Sequence, residues 1–286
     1  MSLFKHDFVK TITRLACGTV LATGLATAAS AAPFTFTPSG AGLTGIGVLA
    51  DNLVTSNFST ISITGGGTSV GSTQTFNDVG LLPVTAYQSG GSNVSGGGGL
   101  NTSYGLYFSF SGTGSQVITA LPPAGSSLPN AQGTLKTLGF SLYGYNCPSG
   151  GCAAVTFAAP AAGSMAQPAP TGLTSPAVLL ATGGLSGLSG VALTSGVPSA
   201  SATTTFNPTA AGTTGTPPFF NPLPFYNVAF SSFITTSSNV KDLNNGSFSI
   251  TQGGGNVNFA SVPEPASMAL LGAGLAAIGL ARRRRA

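Results

Sequence analysis

This 286-residue chain is poor in charge: 5% of its residues are Asp, Glu, Lys or Arg, and it has one histidine and no tryptophan. Its net charge of +4 comes from the two ends, because residues 32–262 contain two lysines and three aspartates. Proteins that bind nucleic acids need Lys and Arg side chains spread over a surface to neutralise phosphates. The central region lacks these side chains, so we predict no nucleic-acid partner.

The shortage of ionisable side chains also argues against catalysis, since general acid–base and metal-dependent enzymes commonly use them. The only histidine is His6, which lies in an N-terminal segment that we expect to be removed. Ser69 in GTSVG matches the G-x-S-x-G nucleophile elbow, but that motif needs a histidine base and a strand-to-helix turn. GAGLTG (residues 40–45) matches G-x-G-x-x-G but lacks the helix that binds a pyrophosphate. We predict that the protein is not an enzyme.

Three acidic residues remain outside the two ends, each in a turn-like stretch: LADNL, FNDVG and VKDLNNG. They are Asp51, Asp78 and Asp242. We interpret all three as solvated turn residues. Two alternatives stay open: a pair of these carboxylates would suit a secreted glycan hydrolase, and DLNNG is one residue short of a calcium-loop pattern.

The N-terminus has the organisation of a secretory signal peptide. The basic stretch MSLFKHDFVKTITR precedes the apolar stretch LACGTVLATGLATAA, and Ala29 to Ala31 (ASA) form an A-x-A cleavage site. Cleavage after Ala32 would place Pro33 at the scissile bond, so we favour the bond after Ala31. We therefore predict that signal peptidase removes residues 1–31 and that the protein is exported, an uncleaved anchor being the alternative.

Export into an oxidising compartment makes a cysteine pair a disulfide candidate. The mature chain keeps Cys147 and Cys152, in CPSGGC. The four intervening residues include a proline and two glycines and can turn tightly enough to bring the two Cα atoms within bridging distance. We predict a disulfide that fixes a turn. Half of a metal site is the alternative, but the mature chain offers no histidine and no third cysteine, so we predict no metal and no other cofactor.

The C-terminal region has the features of a short membrane anchor. Residues 266–281 (ASMALLGAGLAAIGLA) are uncharged and rich in helix formers, and a helix of this length spans about 24 Å, slightly less than the hydrocarbon core of a bilayer. Pro263 and Pro265 stop the helix from extending backwards. A basic cluster follows at once: Arg282, Arg283, Arg284 and Arg285. We predict a transmembrane helix whose arginines stay on the cytoplasmic side, a simple tail anchor being the plainer interpretation.

These three parts together resemble the PEP-CTERM sorting signal. The motif is Val262, Pro263, Glu264 and Pro265, and the apolar helix and the arginine run follow in the same order as in that signal. The resemblance covers residues 262–286 and implies processing by exosortase, a membrane protease-like sorting enzyme of Gram-negative bacteria that make exopolysaccharide. It implies a transient inner-membrane intermediate, then a location at the cell surface or in the extracellular matrix.

Between the two ends lies a predicted secreted domain, residues 32–261, with Gly-, Ser-, Thr- and Pro-rich loops. Its composition would also suit disorder, but its apolar residues alternate: in YGLYFSFSG, Leu106, Phe108 and Phe110 point to one side. Such a period of two marks a half-buried strand, and STISIT, LLPVTAY, TLKTLGFSLYGY, AAVTF and FYNVAFSSFIT are further strand candidates. NNG before SFSIT predicts a hairpin turn. We predict an all-β, antiparallel β-sandwich or jelly-roll-like fold.

Three parts of the chain look like the flocculation-associated PEP-CTERM proteins: GLNTSYGLYFSFSGTG, PAVLLATGGLSG, and FFNPLPFYNVAFSSF continued by NNGSFSITQGGGNVNFASVPEP. That resemblance implies a role in flocculation or biofilm formation, with exopolysaccharide or other copies of the chain as partners. Two alternatives remain. A specific glycan-binding module would present a cleft carrying Tyr104, Tyr107, Tyr145 or Tyr226, and a hydrolase would bring the aspartates together in a pocket.

Overall fold

The computed structural model describes residues 33–124, 126–164, 166–209, 218–221, 227–234, 239–244 and 246–260, with the backbone alone described for 227–234 and 260. The predicted signal peptide (1–31) and the C-terminal segment 262–286, with its predicted transmembrane helix (266–281), lie outside these residues. Within the described ranges no helix is both long and apolar enough to cross a membrane.

The described residues form β-strands joined by loops and three short 3-10 turns (Pro38–Ala41, Gly97–Gly99 and Cys152–Ala154). In chain order the strands are β1 (Phe34–Phe36), β2 (Val48–Ala50), β3 (Asn52–Gly66), β4 (Thr73–Ser89), β5 (Ser92–Asn93), β6 (Tyr104–Ala120), β7 (Asn130–Asn146), β8 (Val178–Thr194), β9 (Val197–Pro208), β10 (Phe220–Asn221), β11 (Asn227–Ile234), β12 (Val240–Asp242) and β13 (Phe248–Ala260).

Eight long strands make one antiparallel sheet that closes on itself. Each of these strands pairs with the next one along the chain, in the order β3, β4, β6, β7, β8, β9, β11 and β13. β13 then pairs with β3, so that Val257 lies opposite Leu53. Closure leaves these strands without a free edge on which another chain could pair. The all-β, antiparallel class predicted from the sequence is confirmed, and the walls of the closed sheet face each other across a core as the sheets of a sandwich do.

The two ends of the closed sheet are filled by different apolar groups. At one end a separate sheet, in the order β10-β1-β2, inserts phenylalanines. The Phe36 ring is fully buried, 5.0 Å from Tyr87 and 5.6 Å from both Phe220 and Phe259, measured between ring centroids. At the other end Leu128, from the segment before β7, packs in a cluster with buried residues of β3, β4, β7, β8 and β13. The interior between these two fillings is where a cavity remains.

The long connection between β7 and β8, residues 147–177, crosses the outer face of the sheet. Thr60 Oγ1 of β3 donates a hydrogen bond to the Pro160 carbonyl (2.6 Å), and Ser109 Oγ of β6 donates one to the Pro168 carbonyl (2.7 Å). Val155 of the connection packs with buried aromatic side chains of the strands beneath it. The connection therefore covers part of the outer wall that would otherwise face solvent.

Two local predictions have opposite outcomes. The hairpin turn at NNG is confirmed, because β12 and β13 pair with Asp242 opposite Phe248. Asn244 and Gly246 have φ angles of 71° and 75°, a left-handed region that these two residue types tolerate best. The strand predicted at AAVTF is wrong: this stretch contains the Cys152–Ala154 turn and a single bridge between Thr156 and Thr171.

Candidate functional site

The predicted cysteine pair lies at the start of the connection that crosses the outer wall. Cys147 and Cys152 are joined by a disulfide, with their Cα atoms 4.6 Å apart. Cys147 follows β7 directly, and the Cys147 amide donates a hydrogen bond to the Ser103 carbonyl (3.0 Å). The bridge therefore ties the first turn of the connection to the end of β7.

The other predicted site residues lie outside the described part of the chain. They are the cleavage residues Ala29 and Ala31, the motif residues Val262, Pro263, Glu264 and Pro265, and the arginines 282–285.

The tyrosines proposed for a sugar-binding cleft are buried. The hydroxyls of Tyr87 and Tyr104 share a hydrogen bond of 2.9 Å inside the core, and burial raises the pKa of Tyr104 to about 12. Tyr107 stacks on Tyr143 with ring centroids 5.2 Å apart. Tyr107 and Tyr145 are each 4% exposed, in the cluster under the connection. These positions therefore offer no exposed platform for a sugar ring, and the remaining candidate, Tyr226, lies outside the described residues.

Two of the three aspartates hold the backbone together at the surface. Asp51 accepts a hydrogen bond from the Gly90 amide (2.8 Å) at the bend before β3. The Asp242 carboxylate accepts hydrogen bonds from the amide and hydroxyl of Ser127 and from the Asn244 amide. Burial would raise the pKa of Asp242, but these hydrogen bonds outweigh it and lower that pKa below its usual value. Asp242 thus fixes the segment that carries the end-filling Leu128.

Asp78 is different, and its interpretation as a solvated turn residue is wrong. It lies inside β4, opposite Ile61 of β3 and Gly112 of β6. Phe76, Asp78 and Leu82 all lie at even-numbered positions of the strand. Because every second side chain of a strand points to the same side, the three share the inward face. Burial raises the pKa of Asp78 from 3.8 to about 7 because the charged form loses its hydration. The alternation that identified other strands could have placed Asp78 inside.

A cavity of about 90 Å³ lies beside Asp78 in the interior of the closed sheet. Asp78 lines this cavity, and its Oδ1 atom is buried without a hydrogen bond of good geometry. The nearby Ser59 hydroxyl lowers the pKa of Asp78, but burial raises it by more. Asn57 of β3 is 5% exposed, lines the same cavity and has an Oδ1 atom that also lacks a hydrogen bond of good geometry. Gly112 of β6 pairs opposite Asp78 and also lines the cavity, and a Cβ added there would lie 2.8 Å from the Thr137 carbonyl oxygen.

The remainder of the cavity wall is mainly apolar. Phe76, Phe110, Leu138, Phe140 and Phe248 contribute to it. Asp51 and Asp242 do not line the cavity, so the carboxylates do not converge on it. Among the residues that the structure describes, no group of three or more His, Cys, Asp or Glu side chains is placed to hold a metal ion.

Comparison with protein families finds a match in the segment that follows the closed sheet. Residues 261–285 match the model of the PEP-CTERM protein-sorting motif. The chain carries a PEP-CTERM sorting signal. This signal marks an exported protein that exosortase processes at the membrane before it reaches the surface. Neither the curated proteins nor the solved structures contain a significant match to the chain.

The PEP-CTERM motif directly follows the last described strand. The last strand, β13, closes the sheet and ends at Ala260, one residue before the matched segment. Processing within the motif would therefore remove no strand of the closed sheet.

Proposed function

We propose that the protein is a non-enzymatic surface or matrix protein that promotes flocculation or biofilm formation by contact with exopolysaccharide. The PEP-CTERM signal supports the destination. The surface that supports the contact is a hydrogen-bonding wall, with one lysine beside it, on the outside of the closed sheet.

This hydroxyl wall is formed by cross-strand rows of polar side chains on β4, β6 and β7. Its two rows are Thr75–Ser115–Thr134 and Asn77–Thr113–Thr137. Thr75, Thr134 and Thr137 are exposed, and the hydroxyls of Thr113 and Thr137 share a hydrogen bond of 2.8 Å. Neighbouring strands place such groups about 4.8 Å apart. Lys136, on β7 beside the second row, is the charged side chain of this region.

A neutral wall of hydroxyls and amides suits a neutral, repetitive polymer. Each hydrogen bond to a sugar hydroxyl contributes little, since it replaces one to water, but many weak contacts on one polymer add through multivalency. The low charge of the domain also removes the repulsion that would keep copies of the protein apart.

The separation of the carboxylates supports a structural role over hydrolysis. A glycoside hydrolase of the usual kind needs two carboxylates on either side of the scissile bond. Asp78 faces the interior cavity, while Asp51 and Asp242 bind backbone amides elsewhere.

The proposal is tested by placing charge on the hydroxyl wall. The double variant Thr75→Glu with Thr134→Glu should bind less exopolysaccharide, because each new carboxylate must lose hydration at the contact. A control with equal added charge, Ser201→Glu with Thr251→Glu on β9 and β13, should bind as the wild type does. The measurement is co-sedimentation of the exported protein with exopolysaccharide from the same cells. Equal binding by the two double variants would contradict the proposal.

A further inference from the structure

We propose that the interior cavity is a binding site for a small amine with an apolar body, whose ammonium group pairs with Asp78 and Asn57. Closed sheets of eight strands have interiors just wide enough to be filled by side chains or to hold one small ligand. Here the two ends are filled, and a space of about 90 Å³ remains between them.

The polar atoms in the cavity define the head group of the ligand. Asp78 Oδ1 and Asn57 Oδ1 are buried hydrogen-bond acceptors, and neither makes a hydrogen bond that meets the geometric criteria. The buried Ser59 hydroxyl lies close enough to Asp78 to lower the pKa of its carboxyl, so it can donate one hydrogen bond. A carboxylate and an amide oxygen together accept more than one hydrogen bond, and a primary ammonium group brings three donors for the positions that Ser59 leaves open.

The charge in the cavity selects an amine over an alcohol. Asp78 is the only titratable side chain among the described residues that line the cavity, so nothing there supplies a positive charge. Lys136 and Lys241, the lysines of the described ranges, are exposed. A cation beside Asp78 would stabilise its ionised form and make charge-assisted hydrogen bonds, which are stronger than neutral ones.

The rest of the wall defines the body of the ligand. Phe110, Leu138, Phe140 and Phe248 surround the space with apolar surface. A cavity of about 90 Å³ corresponds to about three waters at their share of liquid volume, so the ligand is small. Short alkyl amines fit this description.

A weak place in the wall provides the access route. The pairing of β7 with β8 is interrupted between Gly133 and Gly139, and Leu135 and Leu138 of this unpaired stretch line the cavity. Ser189 Oγ replaces the missing ladder, because it accepts from the Leu135 amide (3.0 Å) and donates to the Leu135 carbonyl (3.1 Å). Between Gly133 and Gly139, the two hydrogen bonds of the Ser189 side chain therefore stand in place of the backbone hydrogen bonds that join β7 and β8 elsewhere.

Calorimetric titration of the exported protein, purified from the producing cells, tests this site at pH 8. The probes are ethylamine and propylamine, which match the size of the cavity, each compared with its matching alcohol. We expect saturable binding of one amine per chain. Asp78→Asn should weaken amine binding about tenfold, the effect of losing one charge-assisted hydrogen bond, and should leave alcohol binding unchanged. The matched control Asp51→Asn removes a partly exposed acid that does not line the cavity, and it should bind as the wild type does.

A second experiment fills the cavity with a larger side chain. Ala202→Leu adds volume inside the cavity wall and should abolish binding of both probe classes, with Leu138→Phe as the replacement if that variant unfolds. Ser189→Ala should speed both association and dissociation in stopped-flow measurements. Absence of saturable amine binding, equal amine affinities of Asp78→Asn and Asp51→Asn, or undiminished binding by a folded cavity-filling variant would each overturn the proposal.

Discussion

Asp78 makes the stability of this fold depend on pH in a direction opposite to that of most surface carboxylates. Its carboxyl group lines the interior cavity with one oxygen lacking a hydrogen bond of good geometry, and burial raises its pKa from 3.8 to about 7. The informative change is Asp78→Asn, which removes the ionisation and keeps the size of the side chain.

The sign and size of the change in unfolding free energy with pH follow from the linkage between proton binding and folding. Between pH 3.8 and about 7 the folded protein keeps a proton on Asp78 that the unfolded chain has lost, so the free energy of unfolding falls as pH rises. At about 1.4 kcal/mol for each pKa unit, the loss reaches up to about 4 kcal/mol above pH 7, and water in the cavity would reduce it. Asp78→Asn should therefore be more stable than the wild type at pH 8 and close to it at pH 4.

Denaturant unfolding followed by circular dichroism measures this difference. Wild type, Asp78→Asn and the control Asp51→Asn are compared at pH 4, 6 and 8, with two-state behaviour checked by a second probe. The reasoning is refuted if Asp78→Asn is less stable than the wild type at pH 8, or if the two proteins lose stability in parallel as pH rises.

Three further predictions concern other parts of the chain. Reaction of the mature protein with a thiol reagent under denaturing, non-reducing conditions should find no free thiol, and two labelled thiols would contradict the disulfide. The double variant Cys147→Ser with Cys152→Ser should lower the free energy of unfolding by about 2 kcal/mol, the chain-entropy value for so short a loop. Tyr87→Phe should cost about 1–3 kcal/mol in denaturant unfolding, because it leaves the Tyr104 hydroxyl buried without its partner, and an unchanged midpoint would count against that pairing. Alanine at residues 263–265 should leave export intact but hold the protein in the inner membrane, as fractionation would show; normal appearance at the surface would disprove a sorting role for these residues.

The sequence predicts best those strands in which large apolar residues alternate with polar ones. β6 is one, since Leu106, Phe108 and Phe110 face the core and their period is visible without a structure. The alternating pattern does not reveal β8 as a strand, because its inward positions include glycine. At Gly183 an added Cβ would lie 2.2 Å from the Phe140 ring, so the strand needs a small residue where the pattern would call for a large one.

Closure of the sheet and the interior site depend on contacts between distant residues. β13 pairs with β3 across about 200 residues of chain, and no local pattern encodes that pairing. The burial of Asp78, in contrast, has a local signal. FNDVG has the composition of a turn, which hides that signal, but Asp78 lies at an even-numbered position of β4 like the inward-facing Phe76 and Leu82. The disulfide was predictable because the spacing of Cys147 and Cys152 alone restricts their distance.

The most direct test of the proposed function is the aggregation of cells that lack this protein. Deleting the gene should reduce flocculation, measured as the settled fraction of cells, and leave the amount of exopolysaccharide unchanged. Restoring a variant with Asp51, Asp78 and Asp242 all changed to asparagine should restore flocculation, with its presence at the surface checked by immunoblot. Normal flocculation of the deletion strain would contradict the matrix role, and dispersed cells despite a stable surface-located variant would show that the carboxylates act chemically.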